Sequence, residues 1–222
     1  MANPTGRFQG VIFDMDGVLC DSEPIICAAA SQMFAESYNR RVQPEDFKPG
    51  VGAGEDRYLG VVAEKYGIKL NLVRDKKRTY AIYLQMIQGK LKPLAGVHDF
   101  INTCRQAGWR LAVASSADRI KVDGNLNQIG LPPGEFHALV CGSDVAHKKP
   151  APDIFLTAAS RLGLEPRHCL VVEDAPNGVA AGQAAGACVL ALTTSFPAAE
   201  LAAAGATWTA PDLTQVPPEL WV

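Results

Sequence analysis

The chain of 222 residues lacks the features that are typical of several large protein classes. It has no excess of positive charge, since 21 Lys and Arg residues are set against 23 Asp and Glu residues, for a formal net charge of −2. Phosphate-backbone binding needs clustered basic residues, so this balance argues against a nucleic-acid-binding protein. Charged residues interrupt every long apolar stretch before it reaches the roughly 18 residues of a membrane span. We therefore expect neither nucleic acid nor a membrane among its partners.

Cysteine pairs at metal-site spacing are also absent from the sequence. The six cysteines are scattered without a CxxC pair, and the four histidines do not combine with them at zinc spacing. Most of these cysteines lie beside apolar residues, where the thiol acts as a small hydrophobic group. The opening MANPTGRFQG lacks the charged-then-apolar pattern of a secretory signal. We expect reduced thiols, a cytoplasmic location and a monomer.

Short continuous apolar runs are what the sequence does contain. Four of them end in polar residues and a fifth follows at short range, at residues 10–16, 110–116, 138–144, 169–174 and 187–192. Runs without alternation are typical of parallel strands that are buried on both faces. Helical stretches lie between them, at residues 97–107, 120–129, 154–162 and 178–185. This order predicts an α/β fold, with a doubly wound, Rossmann-like parallel sheet covered by helices.

One interval breaks this alternation. Residues 17–109 separate the first two runs, and they are far too many for a simple crossover. The interval contains no strong strand, but residues 24–38, 57–66 and 72–88 have helical composition and spacing. We therefore predict an all-helical cap domain at residues 21–89, inserted into a core domain of residues 1–20 and 90–222. Such a cap would stand over the carboxyl edge of the sheet, where ligands bind. The tail after residue 210 is predicted to be loop-rich.

Polar side chains follow the predicted strands at the point where each strand ends. They are carboxylates, hydroxyls and one ammonium group, contributed by Asp14, Asp16, Ser115, Ser116, Lys149, Glu173 and Asp174. Carboxylates gathered at one sheet edge repel one another unless a cation lies among them. Oxygen ligands suit Mg²⁺, and a lysine beside that metal suits an anion such as phosphate.

The first run, DMDGVLCDSEP, is the most informative segment. Residues i and i+2 of a strand point the same way, so Asp14 and Asp16 can reach one reaction centre. Gly17 permits the tight turn that follows them. One carboxylate can then attack phosphorus to form an aspartyl phosphate, while the other protonates the leaving oxygen and later activates water.

Four motifs in this order resemble those of the haloacid dehalogenase superfamily, in the phosphatase and phosphomutase branch with a helical cap after the first strand. DMDGVLCDSEP is similar to the first motif (DxDGxxxDS), LAVASS to the second, KKPAPDIF to the third and VVEDAPNG to the fourth. The resemblance covers about residues 8–195. It implies a Mg²⁺-dependent phosphatase that acts on a small phosphorylated metabolite, such as a sugar phosphate.

The resemblance also implies roles for individual residues. Asp14 would be the nucleophile and Asp16 the general acid and base. Mg²⁺ would be held by the Asp14 carboxylate, the Asp16 carbonyl and Asp174, with Glu173 binding directly or through water.

A second group of residues would bind the substrate. Ser115 and the backbone beside Ser116 would bind the phosphoryl oxygens, and Lys149 would neutralise their charge. Lys149 is preferred over Lys148 because it directly precedes the proline of the third motif. Arg57 and Lys76 are weaker candidates for contact with a distal phosphate.

Several other functions share part of this pattern. A mutase similar to beta-phosphoglucomutase shares the last two motifs, but that family places a histidine where this chain has Ile26. A signalling receiver domain also combines a phosphorylated Asp with a Lys, but its acidic pair precedes the nucleophile, whereas here the pair comes last. A silent relative that acts as a binding module is disfavoured because the motif residues are intact. Dehalogenases and phosphonate hydrolases are disfavoured by Asp16. We therefore favour a phosphatase.

Overall fold

Six strands form one parallel sheet in the computed structural model, which describes residues 7–221. They are β1 (Gly10–Phe13), β2 (Arg110–Ala114), β3 (Ala138–Val140), β4 (Cys169–Glu173), β5 (Cys188–Leu192) and β6 (Trp208–Ala210). Their order across the sheet is β3-β2-β1-β4-β5-β6. The predicted α/β parallel sheet is therefore confirmed. Residues 1–6, which belong to the opening segment considered for a secretory signal, and Val222 of the tail lie outside the described residues.

Eight α-helices accompany the sheet within residues 7–221. They are α1 (Glu23–Tyr38), α2 (Glu55–Tyr66), α3 (Leu72–Met86), α4 (Val97–Gln106), α5 (Arg119–Gln128), α6 (Asp153–Leu162), α7 (Pro176–Ala184) and α8 (Ala198–Ala203). Short 3-10 helices lie at Pro44–Gly50, Pro133–Glu135, Gly142–Asp144, Pro166–His168 and Pro218–Trp221. The elements between β1 and α4 are all helices, in agreement with the prediction for that interval. The division into cap 21–89 and core 1–20 and 90–222 stays a prediction.

Helices cover both faces of the sheet because successive strand residues point to opposite sides. Val11 and Phe13 of β1 face one apolar layer, which includes residues of α4 and α5. Ile12 faces the other layer, which includes residues of α6, α7 and α8. The strands are apolar at almost every position because both of their faces are buried.

The helical insertion, residues 21–92, joins the sheet through two adjacent segments. Cys20 pairs with Pro93 in an isolated antiparallel bridge, and the amide of Leu94 donates to the carbonyl of Leu19 at 3.0 Å. The insertion also contacts the start of α5, where the hydroxyl of Tyr80 donates to Asp118, the residue before this helix, at 2.9 Å. These contacts hold the insertion above the carboxyl ends of the strands.

Three local features differ from the sequence predictions. β6 was not predicted, because it has only three residues at the edge of the sheet and two of its side chains are only partly buried. The predicted strand 138–144 ends at Val140, because residues 142–144 turn into a 3-10 helix. The tail closes with a 3-10 helix that stacks Trp221 on Trp109 at 5.3 Å between ring centroids. Within residues 7–221, no helix has the length and apolar content to cross a membrane.

Candidate active site

The carboxyl ends of β1, β2 and β4 meet at one edge of the sheet and bring the predicted site residues together. β1 lies between β2 and β4 and is parallel to both. Asp14 directly follows β1, Ser115 follows β2 and Asp174 follows β4. The amide of Asp14 donates to the carbonyl of Val172 at 2.9 Å, so the chain leaves β1 beside the acidic pair. Ligands of doubly wound folds bind at this edge.

Three buried carboxylates form the centre of the site. One oxygen from each of Asp14, Glu173 and Asp174 lies within 4.8 Å of the other two. Burial and the neighbouring carboxylates raise the pKa of Asp14 to about 7 and that of Asp174 to about 8, although Lys149 opposes both shifts. The raised pKa values mean that the cluster needs more positive charge than Lys149 supplies. Because the donor atoms are all oxygens, the cluster fits Mg²⁺.

Lys149 lies directly against this cluster. Its Nζ donates to Asp14 and, at 2.6 Å, to Oε1 of Glu173, and its side chain is only 7% exposed. Burial lowers the pKa of Lys149, but the two carboxylates outweigh burial and the net shift is upward. Lys148 instead donates to the carbonyl of Ala53 in the insertion at 3.3 Å. The geometry therefore puts Lys149, and not Lys148, beside Asp14.

The turn into α7 fixes the orientation of Glu173. Its Oε2 accepts hydrogen bonds from the amides of Asp174 at 2.9 Å and Ala175 at 3.2 Å. A Cβ at Gly178 would lie 1.9 Å from the Glu173 carboxylate, so only glycine fits at that position. The glycine of the VVEDAPNG motif therefore permits the close approach of α7 to the acidic pair.

The two serines after β2 line the same cavity as Asp14. Oγ of Ser115 accepts a hydrogen bond from the amide of Ala117 at 3.2 Å, which fixes the turn after the strand. Oγ of Ser116 is buried and has no hydrogen-bond partner among residues 7–221. Buried hydroxyls are normally paired, so Ser116 presents an unused hydrogen-bonding group beside the cavity.

Asp16 contacts a different set of side chains. Its Oδ1 accepts from the hydroxyl of Ser22, and its Oδ2 accepts from Nζ of Lys121 at 2.8 Å. Lys121 belongs to α5 and also lies 3.9 Å from Oε1 of Glu55, the first residue of α2. Burial lowers the pKa of Lys121, but Asp16 and Glu55 together raise it above its usual value. The lysine is therefore charged and joins the sheet edge to the insertion.

Sequence reasoning missed Lys121, although the helical spacing contains a signal for it. Lys121, Val122, Asn125 and Leu126 are the buried residues of α5, and they share one face because the second pair follows the first by four positions. Lysine is almost never fully buried without a charged partner. A lysine on the buried face of a predicted helix therefore indicates an acidic neighbour.

The insertion forms the opposite wall of a cavity of about 430 Å³. Ile26, Lys48, Tyr58 and the glycine-rich loop 50–54 line this wall. The hydroxyl of Tyr58 donates to Oε1 of Glu23 at 2.7 Å. Burial raises the pKa of Glu23. Sequence reasoning did not select Lys48, Tyr58 or Glu23, because nothing in their spacing distinguishes them from other residues of a helical segment.

Two predicted substrate-binding residues, Arg57 and Lys76, are not part of the cavity wall formed by the described residues. Arg57 pairs with Glu64 at 2.7 Å. Lys76 pairs with Asp56 at 2.7 Å and with Asp118 at 2.6 Å. Both cations therefore already have carboxylate partners away from the acidic cluster. Their contact with substrate stays a prediction without support from this geometry.

Comparison with known proteins adds independent information. A family model described as haloacid dehalogenase-like hydrolase matches residues 8–186. The chain is 42% identical over 206 residues to the Arabidopsis thaliana protein SUPPRESSOR OF QUENCHING 1, chloroplastic, but this match covers 90% of the chain and only 19% of that protein. It is 32% identical over 178 residues to a phosphorylated carbohydrates phosphatase of Thermotoga maritima, covering 80% of the chain and 82% of the relative.

The fold also has a close counterpart among solved structures. CbbY from Rhodobacter sphaeroides in complex with phosphate superposes with a TM-score of 0.82 at 23% identity. The superposition covers 93% of this chain and 95% of CbbY. This similarity supports the sheet and the helical insertion described above.

Proposed function

Because the chain belongs to the haloacid dehalogenase-like hydrolases, we propose that it is a Mg²⁺-dependent phosphatase that acts through an aspartyl phosphate on Asp14. Its relatives include proteins named as phosphatases, which makes phosphate monoesters the substrate class of the enzyme. The observation that carries the mechanism is the acidic cluster at the sheet edge, with Lys149 against it. Similarity to a phosphorylated carbohydrates phosphatase supports a sugar phosphate as the substrate.

Asp14 is the nucleophile in this proposal. A carboxylate oxygen of Asp14 forms a bond to phosphorus, and the bond from phosphorus to the ester oxygen breaks. Ser115, the backbone beside Ser116 and Lys149 bind the phosphoryl oxygens and offset their charge. Asp16 donates a proton to the leaving oxygen and later removes a proton from the water that hydrolyses the intermediate.

The cluster would hold Mg²⁺ through the Asp14 carboxylate, the Asp16 carbonyl and Asp174, with Glu173 bound directly or through water. When bound, the cation supplies positive charge that offsets the phosphoryl oxygens and the crowded carboxylates. Lys149 supplies further positive charge against Asp14. Glu173 orients Lys149 through the 2.6 Å contact of its Oε1.

The helical insertion selects the leaving group in this proposal. Its residues 21–89, the predicted cap, would close over core 1–20 and 90–222 and exclude water from the reacting groups. Its wall offers an apolar side chain, a carboxylate and a hydroxyl, from Ile26, Glu23 and Tyr58. This mixture suits a small, hydroxylated metabolite. A cytoplasmic location and a monomeric state remain predictions from the sequence.

A screen of phosphorylated metabolites for phosphate release tests the proposal. We expect release from at least one sugar phosphate in Mg²⁺, loss of activity in excess chelator, and weaker recovery with Ca²⁺, which accepts a larger and looser ligand shell. Asp14→Asn should lower the turnover at least about 1,000-fold, or about 4 kcal/mol of barrier. Asp99→Asn, at an exposed position of α4, is the matched control and should retain full activity. Turnover of Asp14→Asn within about tenfold of the wild type would contradict the aspartyl phosphate.

A further inference from the structure

Both carboxylate oxygens of Asp16 are engaged by hydrogen-bond donors. Oδ1 accepts from the Ser22 hydroxyl, and Oδ2 accepts from Lys121 Nζ at 2.8 Å. Two donors on opposite oxygens, one of them an ammonium group, fix the position and the plane of the carboxylate. The orientation of the Asp16 side chain is therefore set by Ser22 and Lys121.

Lys121 is itself fixed in place. Its side chain is only 5% exposed, and a second carboxylate oxygen, Oε1 of Glu55, lies 3.9 Å from Nζ. Asp16 follows β1, Lys121 belongs to α5 and Glu55 begins α2 of the insertion, so the three charges come from three separate segments. A buried ammonium group keeps its place only where such carboxylates compensate the loss of water. The side chain of Lys121 therefore has little freedom to move away from Asp16.

Resting on the function proposed above, we propose that Lys121 is a positioning residue for the hydrolysis of the aspartyl phosphate. Lys121 holds the Asp16 carboxylate where it can accept a proton from the attacking water. In this step the water oxygen bonds to phosphorus, and the bond from phosphorus to the Asp14 oxygen breaks. One water proton passes to Asp16, inorganic phosphate leaves, and the Asp14 carboxylate is regained. No other reactant is required.

This role affects only one half of the reaction. The ratio kcat/KM measures the steps up to phosphorylation of Asp14, whereas kcat also includes the hydrolysis step. With 4-nitrophenyl phosphate, the leaving group is stable as an anion and departs without a proton from Asp16. Loss of Lys121 should therefore lower kcat for this substrate while kcat/KM is maintained.

Steady-state and rapid-quench kinetics of Lys121→Met with 4-nitrophenyl phosphate in saturating Mg²⁺ test the proposal. We expect kcat to fall about 100-fold, the lower end of a general-base contribution, and KM to fall with it. The variant should release a burst of one 4-nitrophenolate per molecule, and acid-quenched protein should carry one added phosphoryl group. Lys121→Arg retains a charged donor and should recover part of kcat. Arg119→Met, on an exposed side of the same helix, is the matched control and should behave as wild type.

Lys121→Met leaves Glu55 buried without its cation, which can prevent folding. The double variant Lys121→Met/Glu55→Gln removes both charges together and should fold, with the same low kcat and the same burst. A fall of kcat/KM equal to that of kcat, with no phosphoprotein, would overturn the proposal, and so would an unchanged kcat. If the wild type releases phosphate from none of the phosphate esters tested, the proposed function itself is refuted. That result differs from an active wild type whose kcat does not change in Lys121→Met, which refutes only the role of Lys121.

Discussion

Removal of metal from the acidic cluster should make the stability of the protein fall as the pH rises. In the metal-free protein the pKa of Asp14 is about 7 and that of Asp174 is about 8, both raised by burial from 3.8. Between pH 3.8 and about 8 the folded state therefore binds more protons than the unfolded state. The free energy of unfolding must decrease with pH over this range. Below it, both states are protonated and the cluster causes no penalty.

The size of this effect follows from the shift of one carboxyl. Raising the pKa of Asp14 from 3.8 to about 7 corresponds to about 4 kcal/mol. Asp174 shares the same cluster, so its effect is not independent and the total should stay on the order of 4 kcal/mol. This is a large part of the free energy of unfolding of a typical domain, which is roughly 5–15 kcal/mol. Mg²⁺ at about 100 times its Kd should raise the free energy of unfolding by about 2.7 kcal/mol and make it depend less on pH.

Urea denaturation between about pH 5 and pH 8, in chelator and in Mg²⁺, measures this effect. Groups far from the cluster contribute equally to both series, so they cancel when the free energies of unfolding in chelator and in Mg²⁺ are subtracted. Asp174→Asn lowers the negative charge, so the metal-free variant should be more stable than wild type at pH 8 and respond less to Mg²⁺. Glu200→Gln, at an exposed position of α8, is the control. A metal-free wild type whose stability is constant or rises between pH 5 and pH 8 would refute the reasoning.

Two further predictions concern single positions of the site. Gly178→Ala places a Cβ 1.9 Å from the Glu173 carboxylate and would displace it. We therefore expect half-maximal activity to need a higher Mg²⁺ concentration, and kcat/KM to fall about 10- to 100-fold, as for other residues that support metal ligands. A Mg²⁺ titration of activity measures it against Gly134→Ala, where a Cβ meets nothing within 4 Å; equal titrations would remove Gly178 from the site. Ile26 can neither donate a hydrogen bond nor relay a proton, so beta-glucose 1-phosphate with a bisphosphate primer should give little or no glucose 6-phosphate in a coupled dehydrogenase assay. Rapid, primer-dependent formation of glucose 6-phosphate would favour the mutase.

The sheet was predictable because its strands are buried on both faces. Each of the five apolar runs contains one of the strands β1 to β5. Short continuous runs such as Val11 to Phe13, bounded by polar residues, are typical of strands buried on both faces. β6 was not predictable, because its three residues lie at an edge where burial imposes no comparable pattern. Strand ends were less certain than strands, because turns such as Gly142–Asp144 depend on neighbouring elements.

The site was predictable where it depends on strand direction. Parallel strands end at one edge, so Asp14, Ser115 and Asp174 were expected to meet there. The partners of Asp16 depend on which face α5 turns toward β1, and no local pattern of the first motif specifies that. Arg57 was predicted to contact substrate but pairs with Glu64. Several exposed carboxylates could have paired with it, and the sequence does not indicate which one does.

The adjacent segments through which the insertion joins the sheet make it an exchangeable unit. The contacts between Cys20 and Pro93 and between Leu19 and Leu94 bring the chain back to where it left. The entropy of closing a loop grows slowly with its length, so insertions of very different size can be accommodated at this junction. The register of β1 with β2 and the carboxylates of Asp14, Glu173 and Asp174 come from the sheet and the residues that follow its strands, outside the insertion. Substrate preference can therefore diverge by replacement of one continuous segment, while the acidic cluster is inherited and only the partners of Asp16 and Lys121 must be kept.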